Sequence, residues 1–333
     1  MKTYRVAVLG ATGAVGREMI KILEERKFPV GELIPLASAR SAGTKIPFRG
    51  EMLTVREVSP DAFAGMDFVL GAAPNAQAKE YAPYMTAAGA VFVDNSSAFR
   101  MAPGVPLVVP EINPEDALLH RGIISNPNCS TIVALVAVNA VGKLSEILSM
   151  TASTYQAVSG AGAGGPTELA EEISALADGG SVSPSVFPYQ IAYNLIPQIG
   201  DFLENGYTTE EMKMQNEGRK ILHLPSLRVS CTCVRVPVVR SHSISISLVT
   251  KEPVSPEAAR AAIAAAPGCR LVDDPAERKY PMPLDTSDQD LVYVGRIRRD
   301  IANENGLSLW CCGDQVRKGA ATNAVQIAEL LIR

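Results

Sequence analysis

The chain of 333 residues carries 31 Lys and Arg against 35 Asp and Glu, with 47% hydrophobic and 20% charged residues. That length exceeds one ordinary core and predicts two domains. The slight acidic balance, without any basic block, argues against a nucleic-acid surface, which needs clustered Lys and Arg.

The first apolar run, Val6-Ala7-Val8-Leu9, follows Lys2 and Arg5 and is broken by Gly10, Gly13 and Gly16. It reads as a strand rather than a signal peptide. No apolar run approaches the ~20 residues that cross a bilayer, so no membrane partner is expected. Strands are predicted at 4–9, 32–37, 53–58, 68–71, 91–94 and 122–125, and helices at 14–26 and 76–88. This alternation is that of a parallel sheet covered on both faces.

Near residue 126 the texture changes. A long apolar helix is expected at 130–143 and a strand rich in Thr, Ser and Val at 148–158. Further strands are predicted at 228–236, 243–249, 291–298 and 307–312, and helices at 166–177, 210–222 and 256–265. Thr208 with Glu211 makes a capping box for the middle helix. The second sheet is expected to be antiparallel or mixed. A last amphipathic helix is predicted at 318–332. The Pro-rich stretch 183–200 is a loop by composition, yet Phe187, Tyr189, Ile191, Tyr193, Leu195 and Ile196 make it too apolar for a solvated linker. It is expected to lie against another surface, such as a second subunit.

Six cysteines stand at 129, 231, 233, 269, 311 and 312. With no export signal they read as free thiols, which points to the cytoplasm. With only His120, His223 and His242 to join them, no metal site is expected. Cys231 and Cys233 alternate along a strand, which puts both sulfurs on one buried face.

Strand 4–9 runs into Gly10-Ala11-Thr12-Gly13-Ala14-Val15-Gly16, which opens a helix. Glycines allow a tight turn and close approach to a pyrophosphate, and the helix N-terminus offers amides and partial positive charge. A glycine triplet alone can be a plain strand–helix turn. Its place after the first strand of a βαβ run favours dinucleotide binding. An NAD site usually has an acid at the end of the second strand. Here the chain reads Ala37-Ser38-Ala39-Arg40-Ser41, and two hydroxyls with an Arg suit a 2′-phosphate, hence NADP. The expected fold class is α/β: a Rossmann-type parallel-sheet domain plus a second α+β domain for catalysis and dimerisation. Residues 1–127 would bind NADP, with the helix near 316–333 packed on them, and 128–315 would form the second domain.

Ser125-Asn126-Pro127-Asn128-Cys129-Ser130-Thr131 lies between a strand and a helix. A cysteine at a helix N-terminus feels the dipole and free amides, which favour the thiolate. The same amides can stabilise an oxyanion. A buried structural role fits Cys231, Cys233, Cys311 and Cys312 well, and Cys129 poorly. Of the three histidines, His242 lies in a polar turn between two strands and has a modest edge as proton carrier.

The loop 10–16, Asn95-Ser96-Ser97-Ala98-Phe99-Arg100-Met101, Val109-Pro110-Glu111-Ile112-Asn113, the segments 126–131, 156–165 and 235–242, and Arg317-Lys318-Gly319-Ala320-Ala321 together resemble aspartate-semialdehyde dehydrogenases, in order along nearly the whole chain. The segment 187–200 further resembles the branch that has this loop at its subunit contact. The resemblance implies reductive dephosphorylation of L-aspartyl 4-phosphate by NADPH, in the biosynthesis of lysine (through diaminopimelate), threonine, methionine and isoleucine. Cys129 would expel phosphate to form a thioester, which hydride converts to the semialdehyde. His242 would be the acid/base, and Gln156 would orient the thioester or the base. Arg235 would hold the substrate carboxylate, Glu210 the amino group, and Arg100, Lys213 and Asn128 the phosphate. Gly10, Thr12, Gly13, Ala14, Val15, Gly16, Ser38, Arg40, Ser41, Ser159, Gly160 and Gln315 would contact NADP. Gln315 and Gly104 depart from the expected Asn and Asp; Gln315 keeps an amide for a nicotinamide contact. The apolar surface expected on the second domain suggests a homodimer or homotetramer. The alternatives are an N-acetyl-gamma-glutamyl-phosphate reductase, which lacks the Arg235 to His242 pattern, and a non-catalytic NADP-binding paralogue.

Overall fold

A computed structural model describes residues 2–332, which form two compact units. The first runs through Asn128 and takes up the chain again from Ala320; the second is Cys129–Gly319.

In the first unit the chain forms β1 (Tyr4–Leu9), α1 (Ala14–Glu25), β2 (Val30–Ala37), a hairpin of β3 (Lys45–Phe48) and β4 (Glu51–Thr54), and β5 (Arg56–Glu57). It continues through β6 (Phe68–Gly71), α2 (Asn75–Ala87), β7 (Val91–Asp94) and β8 (Ile123–Ser125). Six strands join in one all-parallel sheet, ordered β5-β2-β1-β6-β7-β8. The expected strand 53–58 is instead the end of the hairpin plus the two-residue edge strand β5. Arg56 and Glu57 are both exposed, so little side-chain burial supports a longer strand there.

The sheet is buried on both faces, as parallel strands require. Val6, Val8 and Leu70 face a cluster that includes Met19 and Ile22 of α1, while Ala7, Leu9 and Val69 face one that includes Ala78 and Met85 of α2. The closing helix Thr322–Leu330 adds Ala324, Val325, Ile327 and Ala328 to the first cluster. Its Asn323 side chain donates to Asn126 Oδ1 at 2.7 Å and to Val108 O at 3.0 Å. The expected helix 318–332 is therefore shorter as an α-helix, because a π-helical turn, Arg317–Ala321, precedes it.

The second unit comprises α3 (Cys129–Gly142), β9 (Ile147–Gln156), α4 (Gly164–Ala177), α5 (Thr209–Ile221), β10 (Arg228–Arg235), β11 (His242–Thr250) and α6 (Pro256–Ala265). β12 (Cys269–Leu271), the single turn α7 (Pro283–Thr286), β13 (Val292–Arg299) and β14 (Gly306–Gly313) complete it. Its sheet is mixed, ordered β10-β9-β11-β14-β13-β12, with parallel pairs at its two edges. Nearly every residue of α3 is buried, which explains its apolar sequence on all sides. Both halves of the Thr208–Glu211 capping box are made at α5.

The stretch 183–200 does two things. Phe187, Ile191 and Ile196 pack with Val158 and Leu169 inside their own unit, whereas Tyr189, Tyr193 and Leu195 are exposed. Two carboxylates of α4 hold it. Glu168 accepts the amides of Ser185, Val186 and Phe187, and Glu172 those of Ile191 and Ala192. No helix among the described residues is long and apolar enough to cross a membrane.

Candidate active site

The corner after β1 shows which glycines the fold itself demands. Gly10 has φ +82°, and a Cβ there would lie 2.6 Å from Ala72 O; at Gly16 it would lie 2.2 Å from Gly10 O. Neither position tolerates a side chain. At Gly13 the nearest atom is 3.4 Å away, so its bareness serves the space outside the loop rather than packing within it. That space is a cleft of about 270 Å³ lined by Gly10, Thr12, Gly13, Ser38, Arg40 and Ser41, among others. Ala14, Val15 and Gly16 open α1 beside it, where the first amides have no acceptor one turn earlier. Donor amides, two hydroxyls and an exposed guanidinium around a bare loop fit the phosphates of a dinucleotide.

In the same unit, Arg100 is buried, with Nε donating to Asn126 O and Nη2 to Asn95 O, both at 3.0 Å. Asn126 donates in turn to Asn95 Oδ1 at 2.6 Å. Burial pushes the Asp94 carboxyl above its ordinary range, against hydrogen bonds from Ser96 and the charge of Arg100. Asn128 is buried as well.

Cys129 is the first residue of α3 and is partly exposed, while the other five cysteines are buried. Cys231 and Cys233 share a face of β10, their sulfurs 3.8 Å apart. Strand directions assemble the rest of the site. β9 and β10 are parallel and pair Gln156 with Arg235 at their ends; β11 runs antiparallel to β9 and starts there with His242. One end of the sheet thus collects Gln156, Arg235 and His242.

His242 Nε2 lies 3.5 Å from Cys129 Sγ, and its Nδ1 accepts the Ala157 N–H at 3.1 Å. The ring is fully buried, and burial, followed by the nearby charge of Arg235, pushes its pKa down to about 3 against the opposing pull of Glu210. The imidazole is neutral at pH 7. Arg235 donates to Ala157 O at 2.6 Å, and its guanidinium sits 5.8 Å from the Phe187 ring. Burial lowers its pKa, while Cys129 and Glu210 oppose that shift. A guanidinium remains charged at any physiological pH. Gln156 is buried, donating to Glu210 Oε1 at 3.3 Å and accepting from Thr154 at 3.0 Å. Glu210 Oε2 also receives Lys213 Nζ at 2.8 Å.

Ser159, Gly160 and Gln315 belong to this unit too. Gln315 accepts from the Ser241 amide at 2.8 Å and donates to the Ser159 hydroxyl. Ser159 in turn donates to Val239 O at 2.5 Å. A Cβ at Gly160 would lie 2.8 Å from Arg235 Nη1 and 3.1 Å from the His242 ring, so this glycine keeps the approach to both open. Gly104 sits in an open turn with φ +73° and no neighbour within 4 Å of a built Cβ.

The second unit therefore gathers nine of the expected site residues, and the first holds Arg100, Asn128 and the cofactor loop. Two participants escaped sequence reasoning. Gly319, within the π-helical turn, faces Cys129: a Cβ there would lie 2.9 Å from that of Cys129. Its motif stands out in the sequence, but without a role. Ala157 acts only through its backbone, and no residue-type signal could reveal it.

Two family models match the chain: "Semialdehyde dehydrogenase, NAD binding domain" over residues 5–120 and "Semialdehyde dehydrogenase, dimerisation domain" over 139–318. The chain is 51% identical over 328 residues to the aspartate-semialdehyde dehydrogenase of Synechocystis, covering 98% of this chain and 97% of the relative. The chain belongs to the aspartate-semialdehyde dehydrogenase family. Among solved structures, aspartate semialdehyde dehydrogenase II of Vibrio cholerae complexed with ASA superposes with a TM-score of 0.97 at 43% identity, covering 99% of this chain and 98% of that one. The Candida albicans enzyme with NADP superposes at 0.77 and 26% identity, covering 99% and 98%. Within this family the first unit is the nicotinamide-dinucleotide-binding domain.

Proposed function

We propose that this protein interconverts L-aspartate 4-semialdehyde and L-aspartyl 4-phosphate through a thioester on Cys129, with NADP as cofactor, and serves the biosynthesis of lysine, threonine, methionine and isoleucine. The observation that carries the reading is the partly exposed Cys129 sulfur at the start of α3, 3.5 Å from a buried His242 and beside a buried Arg235. The helix N-terminus and the guanidinium both favour a thiolate. The likeness to the Vibrio cholerae enzyme complexed with ASA supports the substrate.

We assign cofactor binding to residues 1–127 with the closing helix, and catalysis and dimerisation to 128–315. The residues lining the cleft would hold the phosphates of NADP, which would supply hydride chemistry when bound. Gly13 leaves room for the pyrophosphate beside the amides of α1, and Ser38, Arg40 and Ser41 suit a 2′-phosphate. The Candida albicans structure with NADP supports that choice. In the second unit, Ser159, Gly160 and Gln315 would face the nicotinamide.

Arg235 would take the substrate carboxylate through its planar fork, and Glu210 the amino group. Gln156 would orient the acyl group, and His242 would be the acid/base of the reaction. Arg100, Asn128 and Lys213 would bind the phosphate. The dimerisation-domain match and the exposed Tyr189, Tyr193 and Leu195 support a homodimer or homotetramer. Six unbridged thiols agree with a cytoplasmic setting.

One assay tests the reading: phosphate-dependent reduction of NADP and of NAD with aspartate semialdehyde or N-acetylglutamate semialdehyde. Turnover with aspartate semialdehyde and NADP is expected. Turnover only with the N-acetylated substrate would replace the function, and none with either would leave a non-catalytic protein.

A further inference from the structure

The hydrogen-bond partners of His242 are unequal. Its Nδ1 faces the Ala157 amide at 3.1 Å, and a backbone N–H can only donate. The nitrogen that receives it must offer its lone pair. A neutral imidazole carries a single proton, which is then on Nε2, the atom 3.5 Å from Cys129 Sγ. We infer that Ala157 fixes His242 as the Nε2–H form, so that in the resting enzyme the imidazole donates a hydrogen bond to the Cys129 sulfur instead of removing its proton.

This deepens the proposed function, and rests on Cys129 being its nucleophile. The S–H bond breaks with its electron pair staying on sulfur and its proton passing to solvent water, which the partly exposed Cys129 can reach. The resting pair is thiolate with neutral imidazole, not thiolate with imidazolium.

Three further features agree. Ala157 and His242 are both fully buried, so no water can rescue the amide if Nδ1 were protonated and two N–H groups confronted each other. The charged groups around the ring are Arg235 from β10 and Glu210 from α5, and the balance of burial and charge leaves the imidazole neutral. The same Ala157 accepts Arg235 through its carbonyl at 2.6 Å. One residue's backbone thus sets both the tautomer of His242 and the position of the cation that favours the thiolate. Ala157 is a positioning residue, acting through its peptide groups.

The test uses the full-length protein with nitrogen-15 in its three histidines, with His120→Asn and His223→Asn samples for assignment. Nitrogen NMR should show His242 Nδ1 unprotonated and Nε2 protonated, both unchanged across the pH range in which Cys129 ionises. That range is read independently from the rate of alkylation by iodoacetamide. A protonated Nδ1, or an imidazolium that appears as Cys129 ionises, would overturn the inference.

Two variants repeat the question chemically. Gln has an N–H near the Nε2 position and cannot accept a proton, so His242→Gln should keep the wild-type alkylation midpoint. His242→Ala should raise it by about one pH unit or more. Equal shifts in both would also overturn the inference. None of these readouts needs substrate, so turnover of the same preparation with aspartate semialdehyde judges the functional reading separately.

Discussion

Two strand-to-helix corners of this protein solve different problems with different means. After β1, the chain turns on glycines, two of them demanded by its own backbone: a Cβ would fall 2.6 Å from Ala72 O at Gly10 and 2.2 Å from Gly10 O at Gly16. After β8, the chain reaches Cys129 through buried asparagines, and the sulfur meets residues more than a hundred positions away. A corner that binds by backbone amides needs only local geometry. A corner that reacts needs a neighbourhood.

The largest effect should come from the reactive corner. Cys129→Ala is expected to lower phosphate-dependent NADP reduction by about 10⁴-fold or more, as when a nucleophile is removed. NADPH binding, followed by fluorescence titration, should persist. Full activity in that variant would dissolve the contrast between the corners.

The glycine corner should fail in stability first. Gly16→Ala places a methyl against a backbone carbonyl, at a cost of about 2–4 kcal/mol. Gly13→Ala should cost less than about 1 kcal/mol and mainly weaken cofactor binding. Denaturant unfolding and NADP titration of both variants separate the two roles. Equal destabilisation would show that Gly13 also serves internal packing.

His242 predicts an acid sensitivity of the reactive corner. Its folded pKa of about 3 lies below the ordinary 6.5, so between these values the unfolded chain binds a proton that the native protein does not. Stability from this group is complete above 6.5 and lost as pH falls toward 3, by about 1.4 kcal/mol per unit. Unfolding midpoints from pH 7 to 4 should decline more gently in His242→Asn than in the wild type. Parallel curves would show that His242 titrates normally.

The smallest change is expected at the cleft. Arg40→Ala should raise the Michaelis constant for NADP about tenfold, as for one charge-assisted hydrogen bond, and leave that for NAD nearly unchanged. An equal effect on both would remove Arg40 from the 2′-phosphate.

Much of the fold is legible in the chain because its signals are local. The boundaries of β1, β6 and β7 follow apolar runs, and the capping box at α5 follows Thr208 and Glu211. The split of strand 53–58 was not legible, since edge pairing depends on β2 beside it. Nor was the π-helical turn at Arg317–Ala321, where helical periodicity continues while the hydrogen bonding changes. The stretch 183–200 shows both sides. Its apolar content signals burial, but only the carboxylates of Glu168 and Glu172 decide which residues turn inward.

By itself the sequence determined that a glycine loop would open α1 and that Cys129 would stand at a helix N-terminus, because backbone sterics and helix dipoles act within a few residues. It could not determine that Arg235 points inward, or that Ala157 would hold both Arg235 and His242. Those facts come from three strands that meet at one end of a mixed sheet, an arrangement set by pairing between residues far apart in the chain. Burial then removes water from their polar groups, and each must find its partner within the protein.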